Sequence, residues 1–228
     1  YRDLIPGRLG GRFIASHIAI PEGGPVSDWV HFHKIRFQMI FCRRGWVRVA
    51  YEDQGEPIVM HPGDFVLQPP RIRHRVLESS AGLEVVEIGC PALHETLADH
   101  AMTLPTGRTL PERDFGGQLF LFHVAADGAW TPCPEAGGFE QQATAMGHAT
   151  RGVAEVRVLR PAAAGSTISG TGAGDLQFGF VLEGTGRLAH AGEHALAPAD
   201  SFTIPPGEPW NLSGCSEDFR LLEVTAPA

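Results

Sequence analysis

Residues 29–45 read WVHFHKIRFQMIFCRRG, and this stretch decides how the first half of the chain folds. It carries two histidines, His31 and His33, two positions apart. On a β-strand, residues i and i+2 point to the same face, so we expect both imidazoles to face the interior of a barrel. Gln38 lies five positions further on. Because that step is odd, a bulge or a strand break must intervene before Gln38 can face the same way.

A second stretch, residues 62–76, reads PGDFVLQPPRIRHRV and brings a third histidine. Its opening Pro-Gly-Asp predicts a turn, and the Pro69-Pro70 pair predicts a stiff corner that directs His74 back toward the first stretch. Three imidazoles buried together without a shared purpose would be costly, so their convergence favours a metal site. The predicted ligands of one metal ion are His31, His33, Gln38 and His74. Another interpretation of the glutamine, that it only forms hydrogen bonds inside the barrel, stays open.

The composition of the 228-residue chain is that of a globular protein built from short strands. Hydrophobic residues make up 43% and charged residues 19%, and the chain has 28 glycines and 18 prolines. Segments rich in Val, Ile and Phe are therefore interrupted at short intervals. Some of them alternate apolar and polar residues, as in 46–51. We predict an all-β fold of sandwich or barrel type, with 91–102 as the longest helical candidate.

Charge and cysteine content narrow the expected partners and location. A net charge of -8 gives no general attraction to nucleic acid or to an anionic membrane. No apolar run approaches the ~18 residues of a spanning helix, and no signal-peptide pattern opens the chain. The four cysteines include no close pair, which is typical of free thiols in a reducing compartment. We expect a cytoplasmic protein with a small-molecule partner and neither a nucleic-acid nor a membrane partner.

An internal repeat predicts two copies of one β-domain. A glutamine, a Pro-x-Asp turn and a Pro-Pro corner recur in the same order, first as Gln38, Pro62-Gly63-Asp64 and Pro69-Pro70, then as Gln177, Pro198-Ala199-Asp200 and Pro205-Pro206. The offset is 139 residues at the glutamine (38 to 177) and 136 at the turn (64 to 200). The predicted parts are a metal-binding domain at 9–98, a linker at 99–117 and a degenerate, metal-free domain at 118–228.

The second copy lacks the metal ligands. By the same spacing, the counterparts of the three histidines are Gly170, Gly172 and Trp210. We therefore expect one metal per chain. Two interpretations of the second copy remain: a domain repurposed to bind an apolar or aromatic ligand at Trp210, or a structural half that packs against the first.

These two stretches resemble the motifs of the cupin superfamily. The first family motif is HxH, three or four residues, Glu, six residues and Gly; here it reads His31-x-His33-x4-Gln38-x6-Gly45. The second runs from a PGD turn through a Pro-rich corner to a histidine, here His74. The resemblance implies a two-domain bicupin of jelly-roll (double-stranded β-helix) barrels. It also implies one divalent transition metal: Fe2+ first, with Ni2+, Mn2+, Zn2+, Co2+ and Cu2+ as alternatives.

The chain departs from the family motif at one ligand, because Gln38 stands where the family has Glu. A neutral amide cancels none of the metal's charge, which favours an anionic or metal-chelating substrate. Ile40 and Tyr51 are candidates for the wall of the substrate site. The arginines Arg36, Arg71 and Arg73 are candidates for holding a substrate carboxylate, or else solvated surface residues. The sequence assigns no catalytic residue.

The resemblance implies a metal-dependent, dioxygenase-like enzyme that acts on a small aromatic, enolisable or carboxylated molecule. Two alternatives stay open. One is a non-redox enzyme, an isomerase, cyclase or lyase in which the metal is a Lewis acid. The other is a non-catalytic cupin that binds a small molecule. With each of these functions, a homodimer is compatible.

Overall fold

The computed structural model describes residues 1–135 and 137–226, and it confirms the all-β fold. Contacts divide the chain into two compact units, of which the first comprises Tyr1–Ala126 and Ala149–Arg151. Its strands are β1 (Arg2–Asp3), β2 (Ile14–Ile20), β3 (Gly24–Pro25), β4 (His31–His33), β5 (Phe37–Arg44), β6 (Val47–Tyr51), β7 (Ile58–Met60), β8 (Phe65–Leu67), β9 (His74–Ser79), β10 (Leu83–Cys90), β11 (Thr96–Ala98) and β12 (Leu121–His123).

The strands of the first unit form two antiparallel sheets. One has the order β1-β2-β10-β5-β8-β12, and the other has the order β11-β4-β9-β6-β7, with β3 paired to β9. The core cluster contains side chains of both sheets. In β6, the side chains of Val47, Val49 and Tyr51 are buried in this cluster. The intervening Arg48 instead reaches Glu78 on the neighbouring strand, with its Nη2 atom 3.2 Å from the carboxylate. The period-2 pattern thus directs Val47, Val49 and Tyr51 into this core, while Ala50 on the opposite face is buried in a separate cluster with Val30 and Leu104.

The second unit comprises Asp127–His148 and the chain from Gly152 onward. Its strands are β13 (Trp130–Pro132), β14 (Phe139–Ala143), β15 (Glu155–Pro161), β16 (Ile168–Thr171), β17 (Leu176–Glu183), β18 (Gly186–Ala189), β19 (Glu193–Leu196), β20 (Ser201–Thr203), β21 (Pro209–Ser213) and β22 (Arg220–Ala226). They form sheets of order β13-β14-β15-β22-β17-β20 and β16-β21-β18-β19. Its core cluster again joins both sheets, for example through Leu159 and Leu212.

The two units share one strand order. The run β2-β10-β5-β8 of the first unit corresponds to β15-β22-β17-β20 of the second, and β4-β9-β6-β7 corresponds to β16-β21-β18-β19. The tandem all-β architecture predicted from the sequence is therefore confirmed. The register agrees as well, since His31 faces His74 in the first unit as Gly170 faces Trp210 in the second.

Helices contribute little to either unit. Among the described residues they are the short α1 (Arg8–Gly11) and α2 (Met146–Thr150), besides a 3-10 turn at Ala125–Asp127. In those parts of the chain, no helix has the length and hydropathy to cross a bilayer. The helix predicted at 91–102 is wrong: the segment contributes β11, which pairs with β4. Pairing with a neighbouring strand overrides the local helical pattern there.

The segment 99–117, predicted as a linker, lies within the first unit. It is fastened to the turn after β6 by Asp53, whose side chain is 1% exposed. The carboxylate accepts hydrogen bonds from the Thr106 hydroxyl and from Nε of Arg108, both at 2.8 Å, and from Arg113. Burial alone would raise the pKa of Asp53, but these hydrogen bonds outweigh it and hold the pKa below its ordinary value.

We expect Asp53→Asn to destabilise the first unit by about 2 kcal/mol, because the segment loses charge-assisted hydrogen bonds. Trypsin should then cut faster at Arg108 and Arg113. The lowered pKa means that this stabilisation is present at neutral pH and is lost as the pH falls through the folded-state pKa. Urea unfolding at pH 7 and near pH 3 measures it, and the gap between variant and wild type should narrow in acid.

The control is Asp114→Asn, which breaks an exposed ion pair with Arg151 (2.7 Å). Exposed pairs contribute little, so this variant should unfold and digest like the wild type. Equal tryptic protection of Asp53→Asn and wild type would show that Asp53 does not hold the segment in place.

Candidate metal centre

Three histidines of the first unit meet across a strand pair. His31 and His33 are the two ends of the three-residue strand β4, and His74 opens β9. The strands are antiparallel, and His31 lies directly opposite His74. Each imidazole offers one nitrogen, and the three nitrogens lie within 4.8 Å of one another. The ring centroids of His31 and His74 are 4.3 Å apart, and His33 lies 5.4 and 5.3 Å from them. This spacing suits a single ion between them.

Hydrogen bonds fix which ring nitrogen His31 and His74 present. Nδ1 of His31 lies 2.9 Å from the Trp29 carbonyl oxygen, and Nδ1 of His74 lies 3.1 Å from the Ile72 carbonyl oxygen. Nδ1 of His33 lies 2.8 Å from the Thr96 hydroxyl. A carbonyl only accepts, so Nδ1 carries the proton in His31 and His74, and the Nε2 lone pair is left free. Holding Nδ1 in this way orients an imidazole for metal binding through Nε2.

The electrostatic setting keeps two of the imidazoles neutral. Burial, together with the neighbouring His31 and His33, lowers the pKa of His74 to about 3. Burial, together with His31 and His94, lowers the pKa of His33 to about 4. Neutral imidazole is the form that binds a metal ion, so both rings are ready as ligands near neutral pH.

Gln38 reaches the same cavity from the other sheet. The residues between β4 and β5 break the strand, as the odd spacing requires, and Gln38 is the second residue of the new strand, which begins at Phe37. Its Nε2 atom donates to Oε1 of Glu87 on β10 at 2.6 Å. The side chain is 2% exposed, and Oε1 is buried with no hydrogen-bond partner among the described residues. A buried acceptor without a partner, in the cavity that the three imidazoles also line, fits the donor set of a metal ion.

The histidines and Gln38 line a cavity of about 480 Å³ in the first unit. Most of its other lining is aliphatic and comes from both sheets: Ile18, Ile20, Val26, Ile40, Val47, Val49, Met60, Val76, Leu83 and Val85. Its acidic lining residues are Asp28 and Glu87. Asp28 links β4 and β9. Its Oδ2 atom accepts a hydrogen bond from the backbone N–H of Val76 at 3.0 Å, and its Oδ1 atom lies 3.5 Å from Nδ1 of His31.

Two of the five predicted substrate contacts, Ile40 and Tyr51, line this cavity. Tyr51 is buried and its hydroxyl oxygen accepts from Nε2 of Gln68 at 2.8 Å. Burial raises the pKa of Tyr51 despite that hydrogen bond, so the phenol keeps its proton. The hydroxyl can therefore donate to an oxygen atom in the cavity.

The three predicted arginines lie elsewhere: no arginine is among the described residues that line the cavity. Arg36 and Arg71 are exposed. Arg73 pairs with Asp99 at 3.1 Å and lies over the Phe32 ring, 4.4 Å from its centroid. The cavity lining thus gives no support to carboxylate binding by these side chains, which stays a prediction.

Glu87 was missed by the sequence analysis. It follows Leu83 and Val85 at intervals of two in β10, and all three side chains line the cavity. A charged residue in phase with inward-facing aliphatic residues is the signal that could have found it.

In the second unit, the indole of Trp210 lies at the place that the histidines have in the first unit. Trp210 is 7% exposed, and its indole lies 3.1–3.2 Å from where a Cβ at Gly170 would stand. A Cβ at Gly172 would lie 1.9 Å from the Pro205 carbonyl oxygen. Neither glycine position therefore has room for a histidine. Of the described residues, His31, His33 and His74 are the group whose geometry suits a metal.

Comparison with known proteins bears on the fold. No protein-family model matches the chain, and no curated protein matches it. Solved structures do. Salicylate 1,2-dioxygenase from Pseudaminobacter salicylatoxidans is 15% identical, with 95% of this chain and 71% of that chain covered and a TM-score of 0.71. A putative glyoxylate-induced protein from Pseudomonas aeruginosa is 16% identical (94% and 74% covered, TM-score 0.65). Oxalate decarboxylase from Lactobacillus farciminis is 12% identical (96% and 78% covered, TM-score 0.67).

The chain has the tandem β-barrel fold of these structures. At these identities the likeness extends to the fold alone, so the activity of this chain must be argued from its own site.

We expect His31→Ala and His74→Ala each to lose bound metal, since each removes one of three converging imidazoles. Metal content after dialysis, measured by mass spectrometry, should fall from about one equivalent per chain to near zero. His61→Ala, at an exposed histidine outside the cluster, is the matched control and should retain metal. Circular dichroism of the metal-free proteins checks that each variant folds. Full metal retention in folded His31→Ala and His74→Ala would refute the site.

Proposed function

We propose that this cupin binds one divalent transition metal through His31, His33 and His74, with Gln38 as the fourth ligand, and oxidises a small organic substrate with dioxygen. The observation that carries the proposal is the convergence of three oriented imidazoles on one cavity of about 480 Å³. When bound there, such a metal supplies a Lewis acid that keeps coordination positions free. The likeness in fold to a salicylate dioxygenase supports this choice of reaction.

Iron(II) is the metal we propose first. A set of three imidazole nitrogens and one amide oxygen suits several first-row ions, so geometry alone does not select among Fe2+, Ni2+, Mn2+, Zn2+, Co2+ and Cu2+. An oxidation by dioxygen needs a metal that changes its oxidation state or a substrate that gives up electrons readily. In a dioxygenation, one O2 is consumed for each substrate and both oxygen atoms end in the product, so no further reductant is needed.

The cavity favours a substrate with an apolar body and an oxygen-bearing chelating head. Its wall is mainly aliphatic, and its described lining residues include neither lysine nor arginine. A negative charge on the substrate is therefore balanced at the metal, while a second anionic group would face the field of Asp28 and Glu87. The Tyr51 hydroxyl can donate to a substrate oxygen and set its orientation. Aromatic and enolisable molecules meet these conditions better than dicarboxylates.

We expect the protein reconstituted with iron(II) under argon to consume dioxygen with an aromatic or enolisable chelator, and an oxygen electrode measures this. Catechols, diketones and hydroxy-aryl ketones form the test panel. Uptake should be one O2 per substrate. The rate of uptake should fall at least about tenfold when a carboxylate is added to a chelating substrate, because this second anionic group would be buried without a partner.

The control for this assay is His31→Ala taken through the same reconstitution, which should show only the background of free iron. If the isolated protein contains zinc and no member of the panel accelerates oxygen uptake, the oxygenase proposal fails. If the substrates that carry the added carboxylate are preferred, the inferred substrate class is wrong.

A non-redox reaction is the second candidate, and one observation favours it. The donor set carries no charge of its own, so the bound metal stays strongly electrophilic, and Glu87 lines the same cavity as a carboxylate able to take a proton. Turnover of an enolisable substrate under argon by the zinc-loaded protein would identify an isomerase, cyclase or lyase. Turnover that requires dioxygen would exclude this candidate.

A further inference from the structure

We propose that Glu87 is a positioning residue of the metal site: its carboxylate holds the amide of Gln38 with the oxygen turned toward the ion and increases the electron density on that oxygen. The inference rests on the proposed function, since it concerns the fourth ligand of that same metal. Gln38 and Glu87 lie on neighbouring strands, β5 and β10, and both line the cavity with the three histidines.

The hydrogen bond between the two side chains decides how the amide is oriented. An ionised carboxylate has acceptors only, so the group of Gln38 that faces Oε1 of Glu87 at 2.6 Å must be the NH2 group. The amide oxygen is then directed away from Glu87. It is buried and has no hydrogen-bond partner among the described residues. Native structures rarely leave such an acceptor unpartnered, and a metal ion between the imidazoles would satisfy it.

The second unit contains the same pair without the histidines, which makes it an internal reference. Nε2 of Gln177 donates to Oε1 of Glu223 at 3.0 Å, on the equivalent strands β17 and β22. Here the amide oxygen is satisfied, because it accepts the backbone N–H of Ala173 at 3.3 Å. The pair itself is thus a feature of both units. Within the described residues, the buried side-chain amide oxygens without a partner are those of Gln38, Gln68 and Gln118, all in the first unit, and Gln38 and Gln68 line the cavity of the three imidazoles.

The charge of the carboxylate is also used differently in the two units. Glu223 faces Arg157 on β15, and Nε of that arginine lies 2.5 Å from its second oxygen. At the equivalent register position, Glu87 faces Ser16 on β2. The negative charge of Glu87 is therefore not offset by a guanidinium at that position. This charge acts on Gln38 through a charge-assisted hydrogen bond, which increases the electron density on the amide oxygen and makes that oxygen a stronger ligand for a cation.

The test compares metal affinity in Glu87→Gln and Glu87→Leu with the wild type, using Co2+ alone as the probe. A glutamine at position 87 can present either its oxygen or its NH2 group, so it no longer dictates how Gln38 is turned; a leucine removes the hydrogen bond altogether. Loss of a residue that orients a ligand typically costs 10–100-fold in affinity, and we expect a loss of about tenfold or more for Glu87→Gln. Competition with a chelating dye measures the affinity, and the visible spectrum of bound Co2+ should change with the ligand set.

Glu223→Gln is the matched control, since it alters the same pair where no imidazole is present. Its Co2+ affinity and spectrum should equal those of the wild type. If Glu87→Gln also binds Co2+ as the wild type does, with the same spectrum, the positioning role is refuted while the metal site stands. If the wild type takes up no Co2+, or if His31→Ala takes it up equally well, the proposed function itself fails.

A rescue experiment separates positioning from a general structural role. Gln38→Glu alone places two carboxylates in contact and should weaken the protein and its metal binding. Adding Glu87→Gln restores the hydrogen bond between the two positions. The amide at position 87 then donates to the carboxylate at position 38, which is the side chain proposed to bind the metal. We expect the double variant to recover Co2+ affinity to at least the wild-type level. Failure of the folded double variant to recover any affinity over Gln38→Glu would contradict the proposal.

Discussion

The antiparallel pairing of β4 with β9 is the constraint on which the site depends. It sets His31 opposite His74, and the two-residue period of β4 then places His33 on the same face. A slip of one residue in this register would turn the imidazoles away from the cavity. The pairing is short, so other contacts support it: β11 pairs along the other side of β4, and the carboxylate of Asp28 accepts the Val76 amide of β9.

The histidine positions could be predicted from the sequence because strand periodicity and a proline corner act over short distances. His31 and His33 needed only the period of two, and His74 needed only a turn that returns the chain. Gln38 could be placed because its odd spacing demanded a break, which the structure supplies between β4 and β5. In each case a local rule of backbone geometry carries the argument, and the fold adds the strand pairing that brings the segments together.

Residues whose role depends on distant partners could not be predicted. Glu87 lies far along the chain from Gln38, and sequence alone does not reveal that β10 pairs with β5. Nearness in sequence also misled: Arg73 is one residue from His74, yet it pairs with Asp99 outside the cavity. Neighbours on a strand point to opposite faces, so an arginine next to an inward-facing histidine is expected to face outward. The segment 99–117 has the composition of a linker, but Asp53 binds three of its side chains.

The two units show how one scaffold can keep or discard a site without losing its core. Where the first unit has two histidines on the strand opposite His74, the second has glycines, and the indole of Trp210 fills the vacated volume. Buried aromatic area stabilises a barrel, whereas clustered imidazoles cost desolvation unless a ligand repays it. The indole is not without cost either, because its Nε1 atom is buried and has no hydrogen-bond partner among the described residues.

The placement of negative charge in the first unit follows from the same electrostatics. A carboxylate that ligates directly would cancel half of the charge of a divalent ion and weaken its pull on a substrate oxygen. With an amide as ligand and Glu87 behind it, the carboxylate lies one side chain further from the ion, and the attraction between opposite charges falls with distance. In the proposed site, the amide oxygen polarised by its charged neighbour would still hold the ion, and more of the positive charge would remain available in an apolar cavity whose described lining includes neither lysine nor arginine. The amide–carboxylate pair of the second unit exists without any histidine, so the pair belongs to the fold, and in the proposed site the first unit uses it for binding.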